Sequence, residues 1–132
     1  MQTPQKEVII PAGGAKPLAP YSPGVRVGQF VYTSGQIGLD PATGKLVPGG
    51  VQAEAKQVLE NLKQVLTAAG ASLDSVVKTT VFMQDMGAYA AINEVYGTYF
   101  TADPPARSAV QVAALPAGAL VEIEAVALVT AT

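Results

Sequence analysis

The chain has 132 residues, 49% of them hydrophobic and 14% charged, with a net charge of −2 and neither cysteine nor histidine. Those absences exclude disulfides, thiol nucleophiles, thiolate or imidazole zinc sites, and any triad that uses histidine as base. The eight basic residues are scattered along an acidic chain of pI about 4.9, so no nucleic-acid surface is expected.

Length favours one domain over residues 1–132. The composition is apolar for a small domain, whose high surface-to-volume ratio demands polar cover. It predicts that part of the apolar surface is buried against other subunits. Residues 1–10 carry no basic region followed by a long apolar run. Nowhere does the chain approach the ~18 uninterrupted apolar residues of a membrane helix. The expectation is a soluble, cytoplasmic protein without membrane contact, and the lack of cysteine fits a reducing compartment.

In chain order, Val8-Ile9-Ile10 reads as a short strand. Residues 11–23 read as loop, because Pro17, Pro20 and Pro23 lack backbone donors and restrict the residues before them. Residues 25–37 suggest a hairpin turning at Gly28-Gln29, and residues 40–44 a further turn. Helical spacing of Val51, Ala55, Val58, Leu59, Leu62, Val65, Leu66 and Ala69 predicts a helix over 51–69. Glu54, Lys56, Gln57, Glu60, Lys63 and Gln64 would form its polar face, with Gly70 as the left-handed residue after its end. The β-branched run from Val76 to Val81 predicts a strand over 76–83. Asp85 is placed to cap a second helix reaching Tyr99, with a stripe of Ala88, Ile92, Val95, Tyr96 and Tyr99. Two more strands follow, over 107–112 and 120–130, joined by a turn at 115–118. The order β, ββ, α, β, α, β, β is that of an α+β fold: a mixed sheet with both helices packed on one face. Its other face has no cover within the chain and predicts a homo-oligomer.

Candidate chemistry is sparse. Of two arginines, Arg26 and Arg107, the second follows two prolines at the mouth of a strand. A guanidinium on so fixed a backbone suits bidentate capture of a carboxylate or phosphate, though the local sequence fits a surface ion pair equally. Strand alternation puts Glu122 and Glu124 on one face with Leu120, Val126 and Leu128. If that face is buried, a carboxylate there has a raised pKa and can act as general acid or base. If it is solvated, the pair is a polar edge. Tyr21, on the Pro-rich loop, can close a pocket or simply pack. Ser34 and Gly35, in Thr33-Ser-Gly-Gln36, offer a hydroxyl and an approachable backbone, or an ordinary strand end. Asn93 lies near the polar edge of the second helix. No Gly-rich phosphate loop and no metal constellation is present in the sequence.

Four segments, taken together, resemble the RidA/YjgF family. They are Pro20-Tyr-Ser-Pro-Gly24, Val31-Tyr-Thr-Ser-Gly-Gln-Ile37, Val77-Lys-Thr-Thr-Val-Phe82, and Pro105-Ala-Arg-Ser108 with Glu122-Ile-Glu124 fifteen residues after the arginine. Residues 92–100 also resemble the family's second helix, and the likeness runs from about residue 10 to 129. The resemblance implies a chorismate-mutase-like fold assembling as a homotrimeric barrel, with active sites in clefts between subunits. It implies a cofactor-free deaminase that hydrolyses reactive 2-enamine and 2-imine acids, such as 2-aminoacrylate, to 2-keto acids and ammonia. It casts Arg107 as the carboxylate anchor, Glu122 as the group that positions or activates water, and Tyr21 as the loop tyrosine. Ser34 and Gly35 become the pocket-lining pair, and Asn93 a helix asparagine near the substrate. Where many members carry a cysteine two residues after the arginine, this chain has Ala109. Thiol-dependent behaviour is therefore excluded, whereas hydrolysis is not.

The resemblance leaves rival functions: a non-catalytic keto-acid or amino-acid binding module, and a specialised deaminase such as one for 2-aminomuconate. A third, a ribonuclease or translation inhibitor, is disfavoured by the acidic pI and the lack of histidine.

Overall fold

Period-two and period-3.6 patterns resolve into six strands and two helices in a computed structural model that describes residues 5–13, 17 and 19–130. The strands are β1 (Glu7–Ile9), β2 (Gly24–Val27), β3 (Phe30–Thr33), β4 (Val76–Met83), β5 (Ala106–Gln111) and β6 (Val121–Leu128). The helices are α1 (Val51–Ala68) and α2 (Tyr89–Tyr99). Of the stretch 11–23 read as loop, residues 14–16 and 18 lie outside the described residues, and the others form neither helix nor strand before β2. Residues 1–4, part of the N-terminal stretch read above, also lie outside them.

The sheet runs in the order β1-β2-β3-β6-β4-β5. All neighbours are antiparallel except β4 and β5, which are parallel and linked through α2. Burial along β6 alternates without a break: Val121, Ile123, Ala125 and Ala127 are buried, and the residues between them are not. The buried set meets α1, whose Val58, Leu59, Leu62 and Leu66 are fully buried. Each such side chain stabilises the fold by roughly 1.5–3 kcal/mol. The second helix adds Ile92 and Tyr96 to the same core, so both helices cover one face, as expected.

Three local features depart from the sequence reading. A register shift between Val76 and Lys78 places a bulge in β4. Val76 and Thr79 therefore both turn inward, three positions apart, and Thr79 is fully buried. Asp85 caps not α2 itself but a 3₁₀ turn over Met86–Ala88 that leads into it, accepting from the Gly87 amide at 2.8 Å. Glu54, assigned to the polar face of α1, is 5% exposed, and its carboxylate accepts a hydrogen bond from the Leu120 amide at 2.9 Å. Gly70 does adopt the left-handed conformation after α1, at φ 81°.

No described element covers the sheet's second face. Val8, Phe30, Tyr32, Val110 and Leu128 are exposed there, together with the partly buried Val126 and Phe82. An apolar surface of this breadth is what monomers ordinarily avoid.

Candidate active site

Arg107 is the second residue of β5 and pairs in register with buried Thr79. It therefore projects on the helix side of the sheet, where α2 crosses from β4 to β5. Its Nη1 donates to Asn93 Oδ1 at 2.8 Å and its Nη2 to Tyr89 Oη at 2.9 Å. The guanidinium carbon lies 4.8 Å from the centre of the Tyr96 ring and 5.4 Å from that of Tyr89. Tyr89, Asn93 and Tyr96 stand at i, i+4 and i+7, one face of a helix. Thr79 Oγ1 and Tyr96 Oη lie 2.7 Å apart in the core, which fixes the ring beneath the cation. Burial pushes the Tyr96 hydroxyl's pKa up, against the opposing pull of the Thr79 hydrogen bond and the Arg107 charge. Both hydrogen-bond partners of Arg107 are neutral. They orient its planar fork without cancelling its charge, an arrangement suited to an anionic ligand.

Glu122 lies on the opposite face of the sheet, paired with Phe82 of β4. Gly35 lets its carboxylate settle against the backbone: a Cβ there would fall 2.5 Å from the Glu122 carboxyl carbon. Burial raises the carboxyl pKa of Glu122, and the neighbouring Glu124 charge raises it further. Glu122, Gly35 and Tyr21 line a cavity of about 500 Å³, and Gln57, Asn61 and Gln64 of α1 extend its wall. Ser34 is not part of that lining. Its hydroxyl donates to the Ser22 carbonyl at 2.6 Å, and its amide donates to the Pro23 carbonyl at 2.9 Å. These two bonds tie the Tyr21 loop to the end of β3.

The residues singled out from sequence thus gather into two groups. Tyr21, Gly35 and Glu122 share one cavity, with Ser34 holding its loop, while Arg107 and Asn93 form the other group with Tyr89 and Tyr96. The sheet separates the two groups within one chain. Tyr89 was missed from sequence and Tyr96 was read only as core. The signal available was their i, i+4, i+7 spacing about Asn93 on the helix that precedes the arginine. Ala109, two residues beyond Arg107, packs against the core. Among the described residues no group of three His, Cys, Asp or Glu side chains is placed to hold a metal ion. Among the same described residues, no helix is long and apolar enough to cross a membrane.

This arrangement has close counterparts. A family model described as endoribonuclease L-PSP matches residues 13–129. The 2-iminobutanoate/2-iminopropanoate deaminase of Mus musculus is 52% identical over 123 residues, covering 93% of this chain and 91% of the mouse protein. Among solved structures, E. coli TdcF with bound serine superposes with a TM-score of 0.89 at 42% identity, covering 94% of this chain and 99% of that one. The yjgF gene product from E. coli gives 0.88 at 42% identity, covering 92% and 98%. The sheet order, the two helices on one face and the match along nearly the whole length agree: the chain belongs to the RidA/YjgF family.

Proposed function

We propose that this protein is an imine deaminase acting on C–N bonds, which hydrolyses small 2-imino acids and their enamine tautomers to 2-keto acids and ammonia. One observation carries the reading: the guanidinium of Arg107 is clamped by two neutral partners and so keeps its charge for a ligand carboxylate. The named activity of the mouse relative and the serine bound in TdcF, an α-amino acid, support it.

Arg107 binds the carboxylate and thereby orients the C=N carbon. Glu122, ionised, takes a proton from a water as the water's oxygen bonds to that carbon. The Tyr21 hydroxyl, on the same cavity wall, assists in holding this water. Glu122 passes the water's proton to the imine nitrogen, which gives the neutral carbinolamine. Glu122 then takes the carbinolamine hydroxyl proton and delivers that one to nitrogen as well: the C–N bond breaks, C=O forms and ammonia leaves, carrying both protons of the water. Acid/base assistance supplies about 10²–10⁴ in rate, enough for an imine that also hydrolyses unaided. No cofactor enters this sequence.

The site is shared between subunits in this reading. Arg107 and Glu122 face opposite sides of one sheet, so a single chain does not bring them to one substrate. A homotrimer that buries the open apolar face sets the Arg107 group of one subunit beside the Glu122 cavity of the next.

The test is keto-acid release from an amino-acid imine generated in situ. Arg107→Ala is expected to lose all enzymatic acceleration. Arg107→Lys, which keeps the charge but not the fork, is expected to lose about 10²-fold in kcat/KM. Wild-type rates in Arg107→Ala overturn the mechanism. Thermal stabilisation by 2-keto acids without turnover would assign the cleft to ligand binding alone.

A further inference from the structure

Tyr89 has a feature that bracing of Arg107 does not use up. Its hydroxyl oxygen accepts from Arg107 Nη2 at 2.9 Å. A phenol has one proton to donate besides its lone pairs, and among the described residues no protein group accepts that proton. The residue is 40% exposed, at the first position of α2, so its hydroxyl stands beside the guanidinium at the protein surface. The buried Tyr96 ring packs against the cation, its centre 4.8 Å from the guanidinium carbon. Accepting a hydrogen bond from a cation polarises the O–H and strengthens it as a donor.

We infer that Tyr89 is a substrate-binding residue: its hydroxyl donates to the same ligand carboxylate that Arg107 holds. The inference rests on the deaminase reading above and deepens it. A carboxylate paired with a guanidinium sits about 2.8 Å from its nitrogens. The Tyr89 oxygen lies 2.9 Å from one of those nitrogens, so the hydroxyl and the carboxylate are neighbours. The ligand class this contact selects is a carboxylate, the group that 2-imino and 2-keto acids share. The carboxylate contact is the same in the ground state and the transition state. Losing it therefore raises KM rather than lowering kcat.

The test uses the full chain, with pyruvate as the binding probe and an imine generated in situ as substrate. Tyr89→Phe keeps the ring over Arg107 and removes only the hydroxyl. Its Kd for pyruvate and its KM are expected to rise about tenfold, the loss typical of a hydrogen bond to a charged group. Its kcat is expected to stay within about twofold and its Tm to be unchanged. Unchanged Kd and KM in Tyr89→Phe, beside an active wild type, overturn the tyrosine's role and leave the deaminase reading standing. A fall in kcat together with Tm would make Tyr89 a structural brace and also overturn it. A wild type that neither binds pyruvate nor turns over imine overturns the reading itself, and this inference with it.

Discussion

Glu122 is held protonated to a higher pH than an ordinary carboxyl, first by burial and second by Glu124 on the same strand face. A general base works only when ionised, so kcat/KM should fall on the acid side with a limb above the usual carboxylate range. Glu124→Gln removes the neighbouring negative charge, which lowers the Glu122 pKa and moves the limb to lower pH. Burial, the larger cause, is untouched, so the limb should stop short of the ordinary carboxylate value. A pH profile of kcat/KM for the two proteins checks both the direction and the shortfall. An unmoved limb would assign the titration to another group. Arg107 and Glu122 were legible in the sequence because residue type and spacing mark them. Tyr89 was not, since an exposed tyrosine declares nothing until its hydroxyl's partner, 18 residues further on, is folded against it.

At the scale of elements, the helix–sheet assignments followed from periodicity, and the exceptions have physical causes. Glu54 was assigned outward because charged side chains on helices usually are. It turns inward, where the half-buried Leu120 amide, 66 residues away and just before β6, finds its acceptor in the Glu54 carboxylate. Gly38 makes room for it: a Cβ there would lie 3.0 Å from the Glu54 backbone. Glu54→Ala leaves that half-buried amide without its protein acceptor and is expected to destabilise the protein by about 1–2 kcal/mol. A denaturant titration checks this, and a neutral result would mean that water replaces the carboxylate. The bulge in β4 was equally invisible beforehand, since the run 76–81 is uniformly β-prone. Yet it sets the phase that buries Thr79, and Thr79 in turn secures Tyr96 beneath the arginine.

At the scale of the molecule, the question is whether the Arg107 and Glu122 groups of different subunits act together, as proposed above. Mixing two inactive variants answers it. Arg107→Ala retains Glu122, and Glu122→Gln retains Arg107. If sites form between subunits, random co-assembly of the two restores about a quarter of the sites. If each chain works alone, the mixture stays dead. Recovery of keto-acid release after denaturing and refolding the variants together is the measurement. Sequence alone indicated an uncovered apolar face, but not that the arginine and glutamate would lie on opposite sides of it. That follows from register, which pairs Arg107 with inward-facing Thr79 and Glu122 with outward-facing Phe82, in a strand order that places β6 between β3 and β4.

The same strand order has a bearing on time. The sixth strand made during synthesis is the one that joins the two halves of the sheet, pairing with β3 on one side and β4 on the other. Until residues 121–128 emerge, the β1–β3 ribbon and the β4–α2–β5 unit have no hydrogen-bonded edge in common. Their contacts must then close over long sequence separations, which slows folding. Both exposed strand edges invite pairing with a neighbouring nascent chain while they wait. Glu122 is laid down in that closing strand, so the carboxylate of the cleft takes its place only when the sheet around it is complete.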